Sequence, residues 1–295
     1  MFRSLLFIPG NNNKFIAKSY SLSPDILCYD LEDSVPLNEK ENARKNISEI
    51  FQLNEYKNNS LIYVRINSIE SGLFETDLRT IVHSGLNGIV IPKVNTISDI
   101  GKAKEVIKER ELSMGLEVGK IKLIPSIETA KGVLNAYKIA KSARVTAVVF
   151  GIFDYLYDMG IADDDSVSTS YARSKIPVDA VAAGVVAIDG IWQNIDDISG
   201  LERDARFARK MGYAGKSIIH PSHISPTHRI FTPTPKQIEW AKKVLLLMQE
   251  TIEKGSGKGA VRLEGKMIDA VHYKQAKSIL YAADLEDQFT TTNKE

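Results

Sequence analysis

IKLIPSIETAKGVLNAYKIAKSARVTAVVFGIFD, residues 121–154, decides the fold. It opens on a short apolar run, Ile121–Ile124, which Pro125 ends. A stretch with helical spacing, Thr129–Lys141, follows, and a β-branched run, Val145–Phe150, closes it before Gly151. Neither run alternates apolar with polar residues, so each reads as a strand buried on both faces. Such strands pair in parallel and need a crossover helix between them, which Thr129–Lys141 supplies.

The same unit recurs on both sides. Toward the N-terminus, Ser4–Ile8 is broken by Pro9-Gly10-Asn11; Asp25–Asp30 reads as a strand and Pro36–Phe51 as a turn and helix. Leu61–Ile66 is a strand, Phe74–Ser84 a helix, and Gly88–Ile91 a strand ending at Pro92-Lys93. Ser98–Leu112 is helical, with Ser98 as its expected cap. Toward the C-terminus, Tyr171–Ala183 and Leu201–Met211 read as helices, Val185–Ile188 and Lys216–Ile219 as strands. About eight strand–helix units predict an α/β fold of the (β/α)8 barrel type. An open doubly wound sheet competes, but no Gly-x-Gly-x-x-Gly follows a strand, which weakens its dinucleotide-binding version.

Pro233 and Pro235 then punctuate the chain, so residues 1–232 are expected to form the barrel and 233–295 a C-terminal segment. That segment reads as a helix over Lys236–Glu253, a flexible break at Gly255–Gly259, and a short strand at Ala260–Leu263. A last helix is expected from about Met267, with a polar tail from Asp284 expected to fray.

The formal net charge is +1, which gives no argument for nucleic acid or an anionic membrane as the main partner. Cys28 is the one cysteine, so no intrachain disulfide is possible, and it reads as a small buried hydrophobe. No apolar run approaches the roughly 20 residues needed to span a bilayer. Met1–Gly10 lacks a basic region followed by a cleavage site, so a reducing cytoplasm is the expected compartment.

Charged residues fall at or just after the C-terminal ends of the expected strands: Glu32 and Asp33, Arg65, Lys93, Glu128, Asp154 and His220. In a barrel these ends converge on one face, and that face carries the chemistry. Glu128 and Asp154 have no His or Cys beside them and suggest a hard oxygen site, which suits magnesium with its retained waters. Zinc is disfavoured, because His83, His220, His223, His228 and His272 show no paired ligand spacing on one helix except His220-x-x-His223, which begins at a strand end. His220 reads as a pocket hydrogen-bonder, and His223 and His228 as surface or cap residues. A glycosidase pair of carboxylates needs a cleft rich in aromatics, and only two Trp are present. Asp163-Asp164-Asp165 reads as a solvated loop capping the next helix through Ser166 or Ser168.

Several short motifs resemble the citrate lyase beta-subunit family. They are Arg3-Ser-Leu-Leu-Phe-Ile-Pro-Gly-Asn11, Asp30-Leu-Glu-Asp-Ser-Val-Pro36, Val64-Arg-Ile-Asn67, Ile91-Pro-Lys93, Ile127-Glu-Thr-Ala130, Phe150-Gly-Ile-Phe-Asp154, Gly215-Lys-Ser-Ile-Ile-His-Pro221 and Gly265-Lys-Met-Ile-Asp269. Each is weak alone; their common order along nearly the whole chain is specific. Pro9–Lys14 and Phe231–Trp240 look closest to the free-standing members, which are similar to malyl-CoA and citramalyl-CoA lyases. Asn12-Asn13, Val271-His272 and the bulky Ile152-Phe153 depart from the family pattern.

The resemblance implies a carbon–carbon lyase acting on a short 3-hydroxyacyl-CoA, with Mg2+ held by Glu128 and Asp154. It implies Arg65 as the partner of an enolate oxygen, Asp269 as general acid/base, and Glu32 and Asp33 as residues ordering metal-bound water and Arg65. Phe7, Lys14, Lys18, Ile219 and His220 fall on positions that bind the coenzyme A portion. It also implies a trimer or hexamer in which residues 233–295 close over a neighbouring subunit's barrel. A subunit of a citrate lyase complex acting on a carrier-bound thioester, a thioesterase, an aldolase on a free keto acid, and a silent scaffold are the alternatives.

Overall fold

The apolar runs pair in sequence order. The structure, a computed structural model, describes residues 2–53, 59–162, 167–253 and 260–291, with the backbone alone at 52–53, 250–253 and 284–291. Two compact units result, one spanning Phe2–His228 and one running from Arg229 onward.

In the first unit the strands are β1 (Ser4–Pro9), β2 (Ile26–Asp30), β3 (Leu61–Arg65), β4 (Gly88–Ile91), β5 (Lys122–Ile127), β6 (Ala147–Phe150), β7 (Val186–Asp189) and β8 (Gly215–Ile218). They close into one parallel barrel, β8 pairing back onto β1. The expected (β/α)8 architecture is therefore the observed one, and the open sheet is not. The helices are α1 (Asn13–Ser19), α2 (Lys40–Leu53), α3 (Phe74–Ile81), α4 (Ile97–Ser113), α5 (Ala130–Ala140), α6 (Ile152–Asp158), α7 (Ser170–Ala183), α8 (Ile198–Met211) and α9 (Ile224–Phe231).

Successive strand residues point to opposite faces, so every second side chain fills the barrel. Leu5, Ile26, Cys28, Tyr63, Val90, Ile124, Val149 and Ile188 form that interior cluster. Cys28 is fully buried there, as its apolar setting predicts.

Several local readings are corrected. Pro125 does not end β5 but lies inside it, paired with Ile91. Leu123 bridges Val145, whereas Ser126 pairs with Val149, so the β5–β6 register slips by one residue across Pro125. Proline has no N–H for the ladder, and a bulge at that point removes the need for one. The cap of α4 is Thr96, not Ser98: Asp99 Oδ2 accepts from the Thr96 and Asn95 N–H groups at 2.8 and 2.9 Å. The helices α6 and α9 have no counterpart in the sequence reading. The cap of α7 is Thr169 rather than Ser168, and Asp163–Ser166 lie outside the described residues.

The second unit contains α10 (Pro235–Glu253), β9 (Ala260–Leu263), β10 (Lys266–Asp269) and α11 (Ala270–Thr291). The reading of Gly255–Gly259 as a break lies outside the described residues. The last helix, expected from about Met267, begins at Ala270. Glu264 (φ +49°) and Gly265 (φ +82°) make a two-residue turn between β9 and β10, which pair antiparallel. Two successive positive φ values match the twist of a hairpin, so Lys266–Asp269 becomes a strand. Helical backbone then continues past Asp284 to Thr291, where fraying was expected. Ala241 and Val244 of α10, Ile268 of β10 and Ala276 of α11 form this unit's own core. Among the described residues no helix is long and apolar enough to cross a membrane.

Candidate active site

The period of two that fills the barrel also chooses what stands at its mouth. Two residues beyond the interior Cys28 comes Asp30; two beyond Tyr63 comes Arg65; two and four beyond Ile124 come Ser126 and Glu128. Asp30, Arg65, Ser126 and Glu128 line one cavity of about 400 Å3, together with Asp33, Ser34 and Asp154.

Asp30 and Arg65 form the first layer. Arg65 donates from Nε to Asp30 Oδ1 at 2.6 Å and from Nη2 to Oδ2 at 2.7 Å. Asp30 also accepts from the Glu32 N–H at 2.9 Å, and from the Ser34 N–H and Oγ at 3.1 and 2.5 Å. Burial pushes the Asp30 carboxyl up, but the Arg65 guanidinium and these hydrogen bonds outweigh it and bring it down to about 2. The pair is therefore fully charged, and its bidentate geometry fixes the guanidinium plane. The Phe7 ring backs that plane, with the Arg65 Cζ 4.6 Å from its centroid. The remaining nitrogen, Nη1, lies 3.3 Å from Glu32 Oε2 and 3.5 Å from Asp33 Oδ2.

Glu128 and Asp154 form the second layer, with Lys93 between them. The Lys93 N–H donates to Glu128 Oε2 at 3.0 Å. Its ammonium lies 2.9 Å from Glu32 Oε1 and 3.3 Å from Asp154 Oδ1. Burial, then the nearby carboxylates of Glu32 and Asp154, push Glu128 up to about 8. Burial chiefly pushes Glu32 up to about 7, against Arg65 and Lys93. Asp154 sits in the first turn of α6, which begins directly after β6. Gly151 lies between the two strand ends, and a Cβ there would come 2.2 Å from Glu128 Cγ. Only a residue without a side chain leaves Glu128 its place.

Five carboxylates thus surround two cations, and two of those carboxylates, Glu128 and Glu32, are pushed upward by burial and by neighbouring carboxylates. A divalent cation relieves that repulsion and brings both down. Glu32 Oε2 is buried without a hydrogen-bond partner among the described residues. Among those residues no three His, Cys, Asp or Glu side chains make a closed metal cage. Two carboxylates with room for water and substrate oxygens is the donor set that suits magnesium, so Glu128 and Asp154 fit it.

The rest of the lining includes an apolar set: Phe7, Phe150, Ile152, Phe153, Ile191 and Ile219. The structure therefore brings together Phe7, Glu32, Asp33, Arg65, Glu128, Asp154 and Ile219. Lys14 and Lys18 are exposed on α1 and do not line the cavity. His220 is half-buried and bonds Ser222 Oγ through Nδ1 at 2.7 Å. His223, expected at the surface or as a cap, is buried, and His228 is half-buried. His223 is fully buried, its Nε2 3.1 Å from the Ile195 carbonyl, and burial pushes its pKa down. His228 Nε2 is 2.7 Å from Ser4 Oγ. Asp269 belongs to the second unit, at the end of β10. Its Oδ1 is 2.7 Å from His272 Nδ1 and accepts from the Val271 N–H at 3.0 Å. Those His272 contacts hold its pKa below the usual carboxylate range.

The sequence reading assigned no role to Asp30 or Lys93. Counting two residues on from Cys28 would have pointed Asp30 inward. Lys93 was marked only as one of the charges at the strand ends; its individual importance comes from contacts with three other loops.

Residues 3–221 match the family model described as HpcH/HpaI aldolase/citrate lyase. The chain is 36% identical over 300 residues to the mitochondrial citramalyl-CoA lyase of Mus musculus, covering 95% of this chain and 86% of that protein. It is 32% identical over 284 residues to citrate lyase subunit beta of Leuconostoc mesenteroides subsp. cremoris, covering 96% and 93%. The fold is shared with the CitE protein of Mycobacterium tuberculosis, solved in complex with magnesium, acetoacetate and coenzyme A (TM-score 0.76, 24% identity, 96% and 98% covered).

Proposed function

Because this chain belongs to the HpcH/HpaI aldolase/citrate lyase family, we propose that it is a magnesium-dependent carbon–carbon lyase. Its substrate is a short 3-hydroxyacyl-CoA such as citramalyl-CoA or malyl-CoA, cleaved to (or formed from) acetyl-CoA and a 2-keto acid. The observation that carries this reading is the convergence of Asp30, Arg65, Glu128 and Asp154 on one cavity at the strand ends.

In the cleavage direction the 3-hydroxyl loses its proton and the C2–C3 bond breaks. The keto acid leaves, and the electron pair passes into the thioester as an enolate, whose carbon then takes up a proton. Glu128 and Asp154 would hold Mg2+, which would supply Lewis acidity to the substrate oxygens. Arg65 meets the enolate oxygen with a guanidinium that Asp30 has already oriented, so no reorganisation is needed as charge develops. Glu32 is suited to take the hydroxyl proton: among the described residues Oε2 accepts no hydrogen bond, having only the Arg65 Nη1 ion pair at 3.3 Å, and a carboxyl pushed up to about 7 is a base matched to neutral pH. Asp33 orients Arg65 and Lys93 from the rim. Asp269 exchanges the proton of the acetyl methyl; its contacts among the described residues fall on Oδ1. Phe7 and Ile219 flank the thioester arm, and Lys14, Lys18 and His220 serve the coenzyme A portion. The working form is a trimer or hexamer, with the second unit closing over a neighbouring subunit.

The apolar lining and the charge balance favour a small acyl group. Both cations at the cavity, Arg65 and Lys93, already have carboxylate partners. A citryl group brings a second free carboxylate to a site with no unused cation among its described lining residues. Similarity to citrate lyase subunit beta supports a second reading, action on a carrier-bound citryl thioester within a complex.

The test is incubation of the purified protein with Mg2+ and a mixture of malyl-CoA and citramalyl-CoA, measuring acetyl-CoA, glyoxylate and pyruvate. Acetyl-CoA with a matching keto acid is expected, and both vanish with a chelator or in Asp269→Asn. Cleavage of neither thioester moves the assignment to the complex-bound reading. Free CoA without acetyl-CoA moves it to a thioesterase.

A further inference from the structure

Lys93 touches the proposed metal carboxylates from both of its ends. Its backbone N–H holds Glu128 Oε2 at 3.0 Å. Its ammonium reaches Asp154 Oδ1 at 3.3 Å, Glu32 Oε1 at 2.9 Å and Asp33 Oδ1 at 3.7 Å. To do both, its backbone adopts φ +54°, one of three positive values among the described non-glycine residues. The left-handed region favours Gly, Asn and Asp, not a long aliphatic stem. Strain of this kind persists only where surrounding contacts over-determine it. Here the contacts are four carboxylates from three loops: Glu128 on the backbone N–H, and Glu32, Asp33 and Asp154 on the ammonium.

A lysine is also an unexpected guest beside carboxylates reserved for a divalent ion. The two positive charges compete for the same Asp154 oxygens. The ammonium is a compact charge on a flexible four-carbon stem, so it can leave Asp154 and keep Glu32 and Asp33. An arginine locked in a bidentate fork could not exchange in this way.

We propose that Lys93 is a positioning residue for the metal site, a resident monocation that holds Asp154 in place until a divalent cation displaces its ammonium. The proposal rests on the reading of Glu128 and Asp154 as magnesium ligands. Metal binding is then an exchange of cations, and in the resting pocket Asp154 keeps a cation beside it. The affinity for metal is set lower than the bare carboxylates would give, which keeps the ion exchangeable.

Calorimetric titration of Mn2+, standing in for Mg2+, into metal-free wild type and Lys93→Met tests this. Methionine keeps the backbone N–H and an unbranched stem but removes the charge. Binding about tenfold tighter in Lys93→Met is expected, since a neighbouring like charge is gone. Equal or weaker binding overturns the proposal, because a lysine that merely braces the site loses ligand order, and so affinity, when removed. Lys93→Gly, which also releases the backbone strain, is expected to bind tightly and to melt above Lys93→Met. Wild type supplies a readout that needs no variant to fold: amine-selective labelling of Lys93, read by peptide mass spectrometry, should rise on saturation with Mg2+. Unchanged labelling overturns the exchange. If neither wild type nor variant binds the ion, the magnesium reading itself falls and takes this inference with it; equal binding by both sinks the inference alone.

Discussion

At the scale of single residues the site depends on one atom's worth of space and one ion pair. A Cβ at Gly151 would stand 2.2 Å from Glu128 Cγ. Gly151→Ala should therefore swing Glu128 out of line and weaken Mn2+ binding by roughly 10- to 100-fold, the range typical of changes behind a metal ligand. Calorimetry on the variant checks this, and a Kd within twofold of wild type would show that Glu128 has room to retreat. The Asp30 carboxyl sits at about 2 when folded, against an ordinary 3.8. A lowered carboxyl stabilises the fold above its ordinary value and loses that contribution as pH falls toward the folded one. About 2 kcal/mol should therefore disappear between pH 4 and 2. Urea midpoints across that window should drop more steeply for wild type than for Asp30→Asn, whose stability is already lower by about 3–5 kcal/mol because Arg65 is left buried and unpaired. Most of these residues were legible beforehand, because charge at a strand end in a parallel barrel has one place to go. Asp30 was not, since inside a continuous buried run an aspartate reads as part of the strand until its facing is counted.

Among the elements, legibility followed the strength of the local signal. The eight strands are short, mostly apolar runs, and their positions hold to within a few residues. What escaped the sequence were pieces decided by backbone geometry: α6, packed into the turn after β6, α9, and the β9–β10 hairpin, whose Glu264-Gly265 turn lacks the usual asparagine or aspartate before glycine. The first strand supplies a further test. The Asp25 N–H donates to Ser4 Oγ at 3.0 Å, which leaves the Ser4 hydroxyl proton for His228 Nε2 at 2.7 Å. Burial pushes His228 down to about 4, from an ordinary 6.5. The unfolded chain then binds the extra proton first, so stability rises with pH between those values and falls as acid is added. A loss of about 3 kcal/mol between pH 7 and 4 is expected. His228→Phe should flatten that part of the profile in thermal melts, and an unchanged slope would assign the acid sensitivity elsewhere. Lys216, buried between Asp189 and Asp204 with Arg173 beside them, is a second such element tie across β7, β8, α7 and α8. Lys216→Met leaves an uncompensated carboxylate there and should cost about 3–5 kcal/mol by urea unfolding.

For the whole molecule, the proposed lid across subunits makes a prediction that no single chain can satisfy. Glu128→Gln disables the barrel and Asp269→Asn the second unit, so each homo-oligomer should be inactive. Unfolding and refolding the two together should restore a fraction of the wild-type rate, because mixed oligomers pair an intact barrel with an intact Asp269. No recovery would place both residues in service of the same subunit. The fold class was readable throughout, whereas the assembly rests on resemblance and awaits this experiment. The slip across Pro125 carries a consequence for how such a chain can drift. Since the β5–β6 ladder changes register there, the number of residues from Val145 to Gly151 fixes which way the mouth residues face. Insertions and deletions are open to lineages at the surface ends of the helices, but within those few positions a gain or loss of one residue rotates Gly151 and Asp154 away from Glu128. Length there should stay frozen while composition wanders.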